Sequence, residues 1–325
     1  MKRFRIILVY IVVVFTLLEG GLRLLGVRPP LPQKAYSASK THLPDSLIGW
    51  KPNPGLHNMT LNRFGDNFEF TIGEDFGRIT KPLGSISSEP SIQLIGGSFF
   101  FGAGVNDSET CAWKLQERFP EKNFLNYSIG AQGTYQALLG LERRLNSGQK
   151  IESVIYGFIS NHKRRNIASH EWLEMFYYNK NMMTVEVPYV ALDKKGKIKR
   201  QKPTSLTSLP FSEYSATMYL MQKILNKTLA YDREQDEDEI LSSLINQMKD
   251  LCDKQGIDFY VAVLYYENNQ KGVLDDFFEK NGIQYINCNI PLNEKNTIKD
   301  DGHPIAEVHE VWANRISERL IRDGH

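Results

Sequence analysis

From residue 91 onward, short apolar runs alternate with amphipathic ones, and this rhythm narrows the possible folds more than any other feature of the chain. Residues 91–95, 124–129, 153–159, 258–265 and 284–287 have the length and the β-branched and aromatic content of strands. Between and after them, 110–119, 135–145, 239–254, 273–279 and 307–322 carry apolar residues at helical spacing. Strands alternating with helices call for a parallel sheet covered on both faces. In such sheets reactive groups gather at the carboxyl ends of the strands, so the residues just after each strand are where chemistry is sought. The segment 164–230 lacks this rhythm and is expected to form an insertion or cap.

The N-terminus obeys a different rule. Lys2, Arg3 and Arg5 precede an apolar run over 6–18, and a weaker apolar stretch continues through Leu25 and Val27. Basic flank, apolar run and terminal position together are the layout of a signal sequence or signal anchor. No small-x-small cleavage site follows the run closely, which favours an uncleaved anchor over 1–27. The positive-inside rule then places the rest of the chain outside the cytoplasm. Arg28-Pro29-Pro30-Leu31-Pro32 cannot continue a helix and reads as a stiff tether. The remainder of 28–90 is Gly/Pro-punctuated and aromatic, as in Ile48-Gly49-Trp50, and is expected to form β-hairpins packed against a main domain over 91–325.

Composition removes several classes of function. A net charge of +1 argues against a nucleic-acid partner. The basic stretch 194–202 alternates charge around Gly196 and reads as a solvated hairpin tip or loop, and the acidic run 232–239 as the exposed start of a helix. Cys111, Cys252 and Cys288 are widely spaced and form no Cys/His cluster, so no metal site and no cofactor is expected, and each thiol reads best as a small buried residue. No feature of the sequence bears on oligomeric state.

Four short motifs carry the chemistry. Gly96-Gly97-Ser98 follows the first strand, where glycines let the chain turn sharply and present a hydroxyl at a helix N-terminus. Asn126-Tyr127-Ser128-Ile129-Gly130-Ala131-Gln132-Gly133 follows the second and leaves backbone N–H groups free for a ligand. Asn161, just after the third, offers a side-chain amide donor, and Asp300-Asp301-Gly302-His303 precedes the last helix. A serine nucleophile needs a base, and the base needs an acceptor that fixes its tautomer. Asp300 is expected to curl back to His303 for that purpose. Taken singly, each motif is equally at home in a plain turn.

In this order the four motifs resemble the SGNH, or GDSL-type, hydrolase superfamily over about residues 91–320, and the anchor with its Ile48-Gly49-Trp50 preface looks like membrane-tethered bacterial members. The resemblance implies an α/β chain: a flavodoxin-like three-layer α/β/α sandwich with a central parallel sheet, preceded by a membrane helix and a small β-rich segment. It also implies a metal-free serine esterase or O-acyltransferase. Ser98 would be the nucleophile, His303 and Asp300 its partners, and the Ser98 and Ala131 N–H groups with the Asn161 amide the oxyanion hole. An acylated carbohydrate or lipid outside the cytoplasm is the expected substrate. A catalytically silent module that binds glycan or assembles an envelope complex is the alternative, since the motifs depart from the family pattern: Gly97 stands where Asp is common, Ala131 where Gly is usual, and His162 rather than Asp follows Asn161.

Overall fold

The computed structural model describes residues 2–30, 40–60, 67–82, 90–178, 186–266 and 271–325. Leu31 and Pro32 of the expected tether, residues 61–66 and 83–89 of the hairpin segment, and 179–185 of the expected insertion lie outside the described residues. A first helix, α1 (Lys2–Leu24), is long and apolar enough over Arg3–Leu24 to cross a membrane, and none of that window is buried within the molecule. Next come two antiparallel pairs, β1 (His42–Asp45) with β2 (Gly49–Pro52) and β3 (Gly55–Thr60) with β4 (Asn67–Ile72).

The main sheet is built from β5 (Ser91–Gly96), β6 (Asn123–Asn126), β7 (Ile151–Ile159), β10 (Asp258–Tyr265) and β11 (Gln284–Asn287), while β8 (Val190–Leu192) and β9 (Ile198–Arg200) form a separate hairpin. All pairings in the main sheet are parallel, in the order β6-β5-β7-β10-β11. Numbered along the chain, that is 2-1-3-4-5, the flavodoxin-like order, whose ligand crevice opens between the first and third strands. Here those are β5 and β7. The helices are α2 (Ser98–Phe101), α3 (Cys111–Arg118), α4 (Thr134–Asn146), α5 (His162–Asn166), α6 (His170–Tyr178), α7 (Ala216–Glu234), α8 (Glu237–Asp253), α9 (Lys271–Lys280) and α10 (Ala306–Asp323).

Alternation along the strands sends side chains to two cores. Ile155 and Tyr260 point toward α3 and α10, where Cys111, Leu115, Trp312 and Ile316 meet them. Val154, Tyr156 and Val261 point the other way, toward Leu138 and Leu141 of α4 and Ile240 and Leu244 of α8. The fold is therefore an α/β/α sandwich with one hydrophobic layer on each face of the sheet.

Two local readings change. The second strand ends at Asn126 instead of 129, because the Asn126 amide donates to Phe100 O at 3.1 Å and its Oδ1 accepts from Ser128 N at 3.1 Å, which turns the chain out of the sheet. The acidic run 232–239 straddles two helices, closing α7 and opening α8, instead of starting one. The 164–230 segment carries α6, the β8–β9 hairpin and most of α7. The basic stretch 194–202 falls on that hairpin, with Asp193 N donating to Lys197 O across its turn. All three cysteines are free and buried.

Candidate active site

Ser98 opens α2 directly after β5, a strand buried along its whole length. Its own N–H, at the first helical position, has no intrahelical acceptor. The short helix is seated on the sheet by Phe100, whose ring lies against Gly157 of β7. A Cβ at 157 would come within 2.5 Å of that ring, so this close approach requires glycine. The far end of α2 is held by the buried Arg78. Its Nε donates to Asp107 at 2.8 Å, Nη1 to the carbonyls of Phe101 (3.0 Å) and Gly102 (2.7 Å), and Nη2 to Val105 O (2.7 Å). Four of the five N–H groups of the guanidinium are thereby used, which is what lets an ion pair sit in the core. The sequence reading missed Arg78, since Phe76-Gly77-Arg78 carries no local signal.

The turn after β6 is clamped by the β-rich preface. Trp50 Nε1 donates to Gly130 O (3.0 Å), Gln132 Nε2 to Trp50 O (2.8 Å) and Gln136 Nε2 to Ile48 O (2.7 Å). Ile48-Gly49-Trp50 thus fixes the segment that bears Ala131. Ala131 adopts φ 62, the left-handed region that glycine tolerates and alanine resists. Its N–H finds no acceptor among the described residues.

On the opposite wall stands His303, whose Nδ1 is hydrogen-bonded to Asp301 Oδ1; the same oxygen also accepts from His303 N at 3.1 Å. The expected contact from Asp300 is corrected: the carboxylate on the ring is that of Asp301. Asp300 takes φ 60 and Gly302 φ 85, and this tight turn folds the Asp301 side chain back onto the ring. Burial pushes the Asp301 carboxyl up, but the hydrogen bond and charge of His303 outweigh it and hold the group below its ordinary value, so it is ionised at neutral pH. The ring is flanked edge-on by Phe99 at 5.8 Å, and Phe99 in turn stacks on Trp312 of α10 at 6.1 Å.

Between these walls lies a cleft of about 490 Å³ at the carboxyl ends of β5 and β7, lined by Ser98, Asn161, Arg165, Tyr265, Asp301 and His303 among others. The structure thus brings Ser98, Asn161 and His303 to one place and adds Asp301 and Arg165. Ala131 and Asp300 are not on the cleft wall. Ser98 Oγ has no hydrogen-bond partner among the described residues. No group of three or more His, Cys, Asp or Glu positioned to hold a metal occurs among them either.

The departures at 97 and 162 explain each other. His162 is fully buried, with Nδ1 2.6 Å from the Tyr156 hydroxyl, which lies 2.7 Å from Thr134 Oγ1. Burial and the nearby Arg165 charge pull this histidine well below its ordinary pKa, so the ring is neutral. Its Nε2 has no partner among the described residues and faces Gly97. A Cβ at 97 would lie 2.6 Å from that nitrogen and 3.2 Å from Arg165 Nη1. An Asp at 97, common in the family that the motifs resemble, has no room here.

No protein-family model and no curated protein matches this sequence. Among solved structures, the chain is similar to a GDSL-like lipase from Bacteroides thetaiotaomicron (12% identity, 74% of this chain and 93% of that one, TM-score 0.39). It is also similar to the psychrotrophic esterase EstA from a Pseudoalteromonas species (10% identity, 72% and 98%, TM-score 0.40). A third is a protein assigned to the lipolytic G-D-S-L family from Desulfitobacterium hafniense (12% identity, 71% and 99%, TM-score 0.40). Two of these three carry the G-D-S-L name.

Proposed function

We propose that this chain is a serine esterase or O-acyltransferase acting on an O-acyl group of a carbohydrate or lipid outside the cytoplasm, tethered to the membrane by α1. One observation carries the reading: Ser98, Asn161 and the Asp301-bonded His303 line a single cleft at the crevice end of a flavodoxin-like sheet.

In the proposed reaction Ser98 Oγ attacks the ester carbonyl and passes its proton to His303 Nε2, while Asp301 accepts the Nδ1–H and holds the tautomer. The oxyanion is received by the Ser98 N–H and the Asn161 amide, each such donor contributing on the order of 10²–10³ in turnover; the Ala131 N–H, off the cleft wall, joins them only if its turn closes on the substrate. His303 then protonates the departing alcohol, and water or a sugar hydroxyl resolves the acyl-enzyme.

The test is mass-spectrometric mapping of a serine-directed fluorophosphonate on the folded protein. Label on Ser98, lost in Ser98→Ala, supports the reading. A second reading, a catalytically silent glycan-binding or envelope-assembly module, is favoured by the absence of a hydrogen bond from Ser98 Oγ to His303. An unlabelled Ser98 together with measurable glycan binding would establish it.

A further inference from the structure

The end of α1 is fastened to the hydrolase-like body by a joint that the proposed reaction does not use. Glu19 lies on the N-terminus of α7: its carboxylate accepts from Ala216 N (2.9 Å), Thr217 N (2.9 Å) and the Ser215 hydroxyl (2.8 Å). Arg23 pairs with Glu19 at 2.7 Å and donates to Tyr214 O at 2.6 Å. The apolar helix is therefore not a free leash, and the body's position along it is set at Glu19.

Length then decides where that joint lies. The apolar window Arg3–Leu24 reaches about 33 Å at 1.5 Å per residue, just enough for a hydrocarbon layer of about 30 Å, and Glu19 lies in its last two turns. A span with no length to spare keeps whatever adjoins its last turns close to the lipid. What adjoins it is an exposed apolar surface. Phe211 and Tyr214, 76% and 75% exposed, project from the turn before α7, and Met221 and Ile224 continue the exposed face along the helix. Lys223 and Lys227 are exposed on the same helix, placed to meet anionic headgroups.

Phe211 adds a separate observation. It holds φ 62, which is strained for a bulky residue, and the turn is pinned there by Tyr214 N and Ser215 N donating to Phe211 O at 3.0 and 2.9 Å. A glycine would adopt this backbone without strain. An exposed phenylalanine kept there at a cost has a use for its ring outside the molecule, and the interfacial level of a bilayer is where aromatic rings partition.

We propose that the face formed by Phe211, Tyr214, Met221 and Ile224 rests on the surface of the same bilayer that α1 enters, with lipid as its partner. This rests on the reading of α1 as a membrane anchor, and it adds that the body is docked flat on the lipid at α7 instead of swinging on its tether.

The test uses the full chain in phosphatidylcholine–phosphatidylglycerol vesicles, with a polarity-sensitive dye on single introduced cysteines; the three native thiols are buried. Positions are Val12→Cys in α1, Phe211→Cys and Ile224→Cys on the docking face, and Glu121→Cys as an exposed reference. Blue-shifted emission and quenching by nitroxide lipids are expected at 12, 211 and 224, with several-fold weaker quenching at 121. Lipid-like signals at 12 with water-like signals at 211 and 224 would overturn the docking and leave the anchor standing. A water-like signal at 12 would overturn the anchor and the docking together.

Discussion

Ser98 stands on a wall fixed by bonds from distant parts of the chain, whereas His303 stands on a loop held largely by its own neighbours. On the serine side, Arg78 reaches carbonyls at and just beyond the end of α2 across 23 to 27 positions, and Trp50 reaches Gly130 across 80. On the histidine side, Asp301 is two positions from His303, Ile298 N donates to His303 O at 2.8 Å, and Ile305 N to Asn296 O at 3.2 Å. The contrast separates two burdens. Groups on the serine wall are tied into the core and should cost stability when changed. Groups on the histidine loop should cost turnover alone.

The sharpest way to break that comparison is His303→Ala. Ester turnover should fall by roughly 10⁴-fold or more, by analogy with serine-protease triads, while the melting temperature moves by no more than about 2 °C, since little beyond Phe99 packs on the ring. A large drop in melting temperature would show that the loop is tied into the core after all.

Next in size is the choice between neighbouring aspartates. Asp301→Asn should lower turnover by about 10³–10⁴-fold by loss of the tautomer-fixing acceptor, and Asp300→Asn should leave it within about threefold. Steady-state kinetics on the two variants decides it; the reverse pattern would return Asp300 to the role that sequence spacing assigns it.

On the serine wall, Arg78→Leu should destabilise by about 3–5 kcal/mol in denaturant unfolding, because Asp107 and three backbone carbonyls lose their donor in the interior. A loss under about 1 kcal/mol would mean that α2 is held by Phe100 on Gly157 and not by the guanidinium.

Acid should reach the same wall through buried histidines. His162 and His309 are fully buried; burial lowers His309 to about 3 and His162 well below its ordinary value. Their folded-state pKa values lie below the unfolded one, so the unfolded chain binds more protons in acid. The neutral rings' contribution is complete above about pH 6.5 and is lost as pH falls from there toward the folded values, at up to about 1.4 kcal/mol per pH unit for each histidine. His309→Asn retains an acceptor for Cys111 N, which now bonds Nδ1 at 3.3 Å, and should flatten stability between pH 6 and 5 by about one proton. An unchanged slope would place the acid sensitivity elsewhere.

Much of the main sheet was legible because its central strands are buried runs bounded by turn residues, and the meeting of Ser98, Asn161 and His303 at one cleft was legible because each follows a strand or precedes the last helix. What escaped the sequence reading depended on tertiary partners. Arg78 carries no local pattern, and its role exists only once α2 is folded over it. Asp301 prevails over Asp300 because the 300–302 turn puts left-handed backbone at Asp300 and Gly302, which spacing alone does not reveal. Gly97 looked like a departure from a family pattern until His162 and Arg165 were seen to fill the space beside it.

The smallest effect concerns Ala131, where the serine wall stores strain. At φ 62 the methyl group costs about 1–2 kcal/mol, while glycine there would cost about 0.4–1 kcal/mol through a looser unfolded chain. Ala131→Gly should therefore stabilise by roughly 0.5–1 kcal/mol, measured by denaturant unfolding. Turnover supplies the more telling readout. The Trp50 and Gln132 bonds already fix this turn, so an N–H that serves the oxyanion should keep its place and leave turnover within about twofold. A rise of tenfold or more would show that the alanine holds the donor off its target, and that the wall built most firmly is not yet set for the reaction.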